Sequence, residues 1–378
     1  MPRRWMEKVA AGHDVRERGV AVYTLGMLAR LVNGELVGDA SQPVSGPAPV
    51  EEAGPEHITF AADAKALDRA RKGRAGAVIA PRDAVDIGRP LIRVDNPRLA
   101  FAQVLEVFAP PQEAPQGIHP TAIIAPDVSL GEGTAVGAYA YIGPGTTLGR
   151  NVRVYPGVYI GRDVEIGDDT VVYPNVVIMD RVRIGRRVVL QPGAVIGSDG
   201  FGFVTVDGRH VRMPQIGTVV IEDDVEVGVN SAVARATIGA TRIGRGSKFD
   251  GFVYIAHNAT LGENVMIVGM SAVAGSAHLE DGVVLAGQTG VTGHLRVGAG
   301  SVVAARGLVA SDLPPKSFVS GFPARPHQEN MRILAAQRRV PELLKIVSEL
   351  EKKVAALERR LEEQDSFLAD NPPAAEAL

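Results

Sequence analysis

His257, Gly275 and Gly293 follow one another at intervals of eighteen residues, and Gly293 is succeeded at once by His294. An imidazole titrates near working pH and suits a general base. A glycine amide, with no side chain in the way, suits an oxyanion donor. Asp250, seven residues before His257, is placed either to orient the imidazole or to hold a substrate ammonium. The spacing has meaning only if the chain returns to the same side every eighteen residues. If it does, the two histidines stand about 10 Å apart along the stack, too far to bond each other and far enough to admit a reacting centre. His119 and His278 fall outside this pattern and read as solvated polar residues. No two of the eight histidines are separated by only a few residues, so the sequence offers no histidine metal site.

The element that would supply this ruler is a repeat of six. An aliphatic residue falls at every sixth position from Ile118 through Ile124, Leu130, Val136 and Ile142 to Ile196, again at Ile221, Val227 and Val233, and then, with Phe249 in one place, from Ile243 to Val309. Six fits neither a 3.6-residue helix nor an alternating strand, so the unit is a short strand plus a turn. Gly, Pro, Asp and Asn crowd the next positions, as in Ile142-Gly143-Pro144-Gly145, where sharp corners need permissive dihedrals. Three such sides close an eighteen-residue coil of a parallel β-helix. The repeat is interrupted twice, by the Gly-rich stretch between Ile196 and Ile221 and by four surplus residues between Val233 and Ile243. Insertions in solenoids leave on one face, often the binding face. The first is therefore read as a substrate loop, with Phe201 and Gln215 as substrate-binding candidates.

Around this array lie segments of different character. Residues 21–112 lack the six-residue period and read as a small α/β domain. In it Thr24 caps a helix over Leu25 to Val32, strands cover 76–80 and 90–94, and Asn96-Pro97 opens another helix. Pro110, Pro111 and Pro115 mark a linker. The β-helix takes 113–325 and a helical segment 326–367, where Leu343, Val347, Leu350, Val354, Leu357 and Leu361 form a coiled-coil seam. About three heptads need partner helices or the body of the protein. A parallel coiled coil and a β-helix prism both suit a homotrimer, and folding back on the same subunit is the alternative. Residues 1–20 read as an extension and 368–378 as a disordered tail. The fold class is thus mainly β, with a small α/β domain before the solenoid and helix after it.

Forty basic against 43 acidic residues, a net charge of -3, argue against a nucleic-acid binder. Zero cysteines exclude disulfides and thiolate chemistry. No apolar run has the length of a signal peptide core or a membrane span. The expected location is the cytoplasm, with peripheral contact at the inner membrane left open.

Asp199-Gly200-Phe201-Gly202-Phe203, Pro214-Gln215-Ile216-Gly217, Ile255-Ala256-His257-Asn258 and Gly287-Gln288-Thr289-Gly290-Val291-Thr292-Gly293-His294, in this order, resemble the UDP-3-O-acylglucosamine N-acyltransferase family of lipid A biosynthesis. The similarity extends over about residues 24–345. It implies a left-handed β-helix trimer that moves an (R)-3-hydroxyacyl chain to the 2-amino group of a UDP-sugar. The donor would be the phosphopantetheine thioester of acyl carrier protein, with no metal or cofactor held by the chain. By the same resemblance His257 is the base, Gly275 the oxyanion donor, Asp250 the accompanying aspartate and His294 a support for the carrier's thioester end. Phe60 matches the aromatic of a uracil site. The chain departs from the family's pattern at Asp63 and Ala66, where Asn and Tyr are common, and at Ala234-Arg235-Ala236, where Asp-Arg-Gly is common. These departures keep a second reading, a sugar acyltransferase using another nucleotide sugar or an acyl-CoA donor. A third reading is a non-catalytic β-helix scaffold. The pathway's related O-acyltransferase usually begins directly with the repeats, whereas here about a hundred residues precede them.

Overall fold

A computed structural model describes residues 16–17, 20–21, 23–110, 113–321 and 327–370. His13, most of the expected N-terminal extension, the exit turn at 322–326 and the tail from Asn371 lie outside these residues. The chain divides into two compact units, Met1–Glu113 and Ala114–Leu378.

The first unit is built on a five-stranded sheet in the order Glu35–Val37, Leu91–Val94, Ala77–Pro81, His57–Phe60, Gly46–Pro47, antiparallel only at the first pairing. Its strands alternate between two apolar clusters. Ile58, Ile79 and Ile92 face Leu25, Leu28 and Val104, whereas Val78 and Leu91 join Leu67 and Ala70. Three helices supply these partners, and each is started by a side chain that accepts from a free backbone N–H. Thr24 caps Leu25–Leu31, Asp63 caps Ala64–Lys72 and Asn96 caps Pro97–Phe108. The helix at 64–72 was not expected from the sequence. Only Leu67 and Ala70 of it are buried, so it lacks a strong apolar stripe.

The second unit is the solenoid. Nearly every strand has two residues, and the second is the aliphatic one of the six-residue period, turned inward and buried. Parallel pairing runs at the expected interval, as in Ile142 to Ile160 to Ile178 to Ile196. Three sheets of ten, nine and ten strands result. Past Val309, the last residue of the six-residue period, Phe318–Val319 pairs with Val302–Val303 through a shortened last coil. Left-handed backbone recurs at the corners, with Asn or Asp at 151, 163, 169, 175, 258 and 264, the residue types that tolerate it without glycine. Corner hydroxyls tie successive coils: Thr146 Oγ1 donates to Gly161 O at 2.8 Å and accepts from Val164 N at 3.1 Å. Beyond the coils one helix, His327–Asp370, extends past the expected limit at 367. Leu343, Val347, Leu350, Val354, Leu357 and Leu361 are all exposed along it.

A fully buried side chain inside such a stack has no route to solvent and little room to collapse. Leu190 pairs with Val172 on one side and Val227 on the other. Leu190→Ala is expected to lower the unfolding free energy by about 2–5 kcal/mol, measured by urea denaturation.

The two interruptions appear as changes of register. Ile184 pairs with Ile221 across 37 residues in place of eighteen, an excess of nineteen, and Ile221 pairs with Ile243 across 22, an excess of four. The first excess forms an antiparallel hairpin, Phe203–Val206 with Arg209–Arg212. Its two-residue turn is Asp207-Gly208, both with positive φ, as a type I′ turn requires. That Asp-Gly pair between β-branched runs was a legible signal for a hairpin inside the expected loop.

Candidate active site

Strands Tyr254–Ile255, Ala272–Val273 and Gly290–Val291 stack in register, so His257, Gly275 and Gly293 each lie two residues past their strand at one corner. The arrangement matches the eighteen-residue ruler. A Cβ built on Gly275 would stand 2.7 Å from both Cε1 and Nε2 of His257. The Cε1–Nε2 side of the imidazole therefore lies directly against Gly275. Among the described residues nothing accepts from the Gly275 N–H, while its carbonyl accepts from His294 N at 3.1 Å. His294 is exposed and has φ 63°, like Asn258 at 61° and Ser276 at 59°. It thus shares a corner position with Asn258, one residue beyond that of His257.

The orientation of the ring is set by groups the sequence did not reveal. His257 Nδ1 is 3.3 Å from Asn258 Oδ1. The amide cannot be turned round, because Asn258 Nδ2 donates to Ile238 O at 2.9 Å and Oδ1 accepts from Thr237 N at 2.9 Å. An amide oxygen only accepts, so this contact favours the tautomer with its proton on Nδ1. The lone pair is then on Nε2, one of the two ring atoms nearest Gly275. Thr237 Oγ1 donates in turn to Gln215 Oε1 at 2.9 Å, and Gln215 Nε2 to Met213 O at 3.0 Å. Gly200 closes the other side, where a Cβ would meet His257 Cβ at 2.6 Å. Both interruptions of the repeat therefore converge on this histidine.

The remaining expected residues are placed differently. Asp250 belongs to the preceding side of the coil, and its carboxylate accepts from Gly251 N at 2.7 Å and Gly269 N at 3.0 Å. Within one chain the orienting contact to the imidazole comes from Asn258, and the Asp250 carboxylate binds those two amides. Gln215 is 6% exposed with both amide atoms engaged, so it buttresses the loop. Phe201 is 80% exposed, its ring 5.1 Å from that of Phe203.

In the first unit, Phe60 and Asp63 line an open cavity of about 640 Å³, together with Arg69, Arg98 and Phe101. Phe60 stacks on Phe101 with centroids 4.6 Å apart. Asp63 Oδ1 is taken by the Ala66 N–H at 2.8 Å as a helix cap. Among the described residues no group of three His, Cys, Asp or Glu side chains could hold a metal ion, and no helix is long and apolar enough to cross a membrane.

A hexapeptide β-helix whose loops converge on a histidine and a bare glycine amide defines a hexapeptide-repeat acyltransferase. Residues 127–162 and 163–198 match the bacterial transferase hexapeptide model, and residues 41–107 match the model of UDP-3-O-(3-hydroxymyristoyl) glucosamine N-acyltransferase. The chain belongs to the UDP-3-O-acylglucosamine N-acyltransferase family of lipid A synthesis. It is 53% identical over 341 residues to the family's enzyme from Syntrophotalea carbinolica, covering 90% of this chain and 99% of that one. With the enzyme from Nitrosococcus oceani it shares 52% over 339 residues, 89% and 98% of the two chains. The solved UDP-N-acetylglucosamine acyltransferase of Arabidopsis, 22% identical with a TM-score of 0.50, covers 54% of this chain and 71% of its own and shares the fold.

Proposed function

We propose that the chain transfers an (R)-3-hydroxyacyl group from the phosphopantetheine thioester of acyl carrier protein to the 2-amino group of UDP-3-O-acylglucosamine. The observation that carries this reading is the His257 ring held against Gly275, whose N–H is left without an acceptor among the described residues. The amine attacks the thioester carbonyl and forms the C–N bond. His257 Nε2 takes the proton that the amine loses. The Gly275 N–H receives the developing oxyanion. Collapse breaks the C–S bond, and the imidazolium returns its proton to the leaving thiolate. His294, exposed one coil-pair away, supports the thioester end of the carrier's arm. Asp250 and Phe201 line the approach of the substrates, and Gln215 holds the loop. Phe60, backed by Phe101, offers its ring to the uracil, with Asp63 at the cavity wall.

The working form we infer is a homotrimer in the cytoplasm. One sheet turns Tyr141, Tyr159, Val177, Val195, Tyr254 and Leu308 outward, without a charge among them. Another turns Glu165, Arg183, Arg242 and Arg296 outward, as a solvated face does. On the terminal helix Lys353 and Arg360 flank one side of the apolar seam and Glu351 and Glu358 the other. Such charges pair between parallel copies and repel between antiparallel ones, which supports a parallel assembly of the helices.

Purified protein offered UDP-3-O-acylglucosamine and a panel of 3-hydroxyacyl carrier proteins is expected to yield the N-acylated product by mass spectrometry. Product formed from acyl-CoA alone, with none from any carrier thioester, would replace the donor assigned here.

A further inference from the structure

We propose that Arg235 is a positioning residue that clamps the two ends of the 197–217 excursion and so holds its inner part against the catalytic corner. The proposal rests on His257 being the base.

Arg235 follows the strand Ala232–Ala234 and is 6% exposed. Its Nε donates to Gly197 O at 2.7 Å, its Nη2 to Asp180 O at 3.1 Å, and its Nη1 reaches Gly217 O at 3.5 Å. Gly197 and Gly217 are where the chain leaves the coil and rejoins it. Asp180 belongs to the same corner one coil earlier. The backbone completes the clamp: Arg235 N donates to Ser198 O at 2.8 Å, and Gly217 N to Ala236 O at 3.1 Å.

The choice of residue follows from the geometry. Three carbonyls on three separate segments require a planar fork with several fixed donors, which arginine has and lysine lacks. A buried cation with no carboxylate in hydrogen-bond contact is costly. The nearest carboxylate oxygen, on Asp199, is 3.9 Å away, and Asp199 also pairs with Arg212 at 2.5 Å. Burial holds the guanidinium below its ordinary pKa and Arg181 acts in the same direction, while Asp199 and Asp180 oppose them. A fold that needed only a filled corner would place an apolar side chain here.

Between the clamped ends lie Gly200, which touches His257, and Gln215, which anchors the amide chain leading to Asn258. Loosening the ends therefore moves one wall of the site and the ring's orienting contact together. Misplacement of about 1 Å can cost on the order of 10²-fold in rate.

The test is Arg235→Met, which fills similar space without donors, read by hydrogen–deuterium exchange and steady-state kinetics on the full chain. Exchange over residues 198–216 is expected to rise about tenfold with the coils at 118–190 unchanged, because only the excursion is released. In the same variant kcat should fall by about 10²-fold while KM shifts far less. Should Arg235→Met not fold, Arg235→Lys carries the same test, since it keeps the charge but cannot span the three carbonyls. Wild-type exchange at 198–216, faster exchange throughout the solenoid, or faster local exchange with unchanged kcat would each overturn the proposal. Full activity in His257→Ala would instead remove the base assignment and leave the exchange result standing.

Discussion

Alanine at position 257 is expected to lower kcat by about 10²–10⁴-fold, the range a positioned general base contributes. The argument rests on where the ring is held. Asn258 takes the Nδ1 side, Gly200 covers the Cβ side, and the Cε1–Nε2 side lies against Gly275. No second imidazole stands at this corner position nearby, because Arg235 occupies it on the preceding coil and Gly275 and Gly293 on the two that follow. Initial rates of N-acylated product, measured beside a thermal unfolding scan, separate lost chemistry from lost fold. A kcat within threefold of wild type would remove the base and favour a non-catalytic scaffold.

Gly275→Ala is expected to reduce kcat by about 10²–10³-fold, a loss typical of removing an oxyanion donor. Gly275 does not use left-handed backbone, so alanine is not strained there by its dihedrals. The added methyl meets the imidazole at 2.7 Å, closer than carbon atoms approach. The ring must swing away, which breaks its contact with Asn258, and the methyl hinders access to the free N–H. Because the coil keeps its register, the unfolding midpoint should move little while kcat collapses. A variant with wild-type kcat would show that neither the amide nor the ring's present position matters to the reaction.

The solenoid was legible in the sequence because its strands are two residues long and each ends on a buried aliphatic, leaving no freedom to slip register. The stacking of His257 with Gly275 and Gly293 follows from that period alone. Thr24 and Asn96 announced their helices by capping chemistry. The helix at 64–72 did not, since Lys65, Arg69, Arg71 and Lys72 leave it a mostly solvated cylinder. Asn258, Thr237 and Arg235 were missed for another reason. Their bonds join an insertion to a coil, and no periodic pattern records which side chains will meet across an interruption. Asp250 was expected about one side of the coil before His257, to orient the imidazole or hold a substrate ammonium, and the backbone amides of Gly251 and Gly269 that its carboxylate binds were not legible.

Nineteen residues leave the coil at one corner and four more leave at the same corner one coil later, yet strand pairing carries on past both points, with a single register shift between Ile196 and Ser198. The length of each excursion is therefore uncoupled from the packing of the rods on which it is mounted. Selection acting at this corner can change which substrate is admitted without re-solving the interior, so specificity and foldability evolve along separate coordinates.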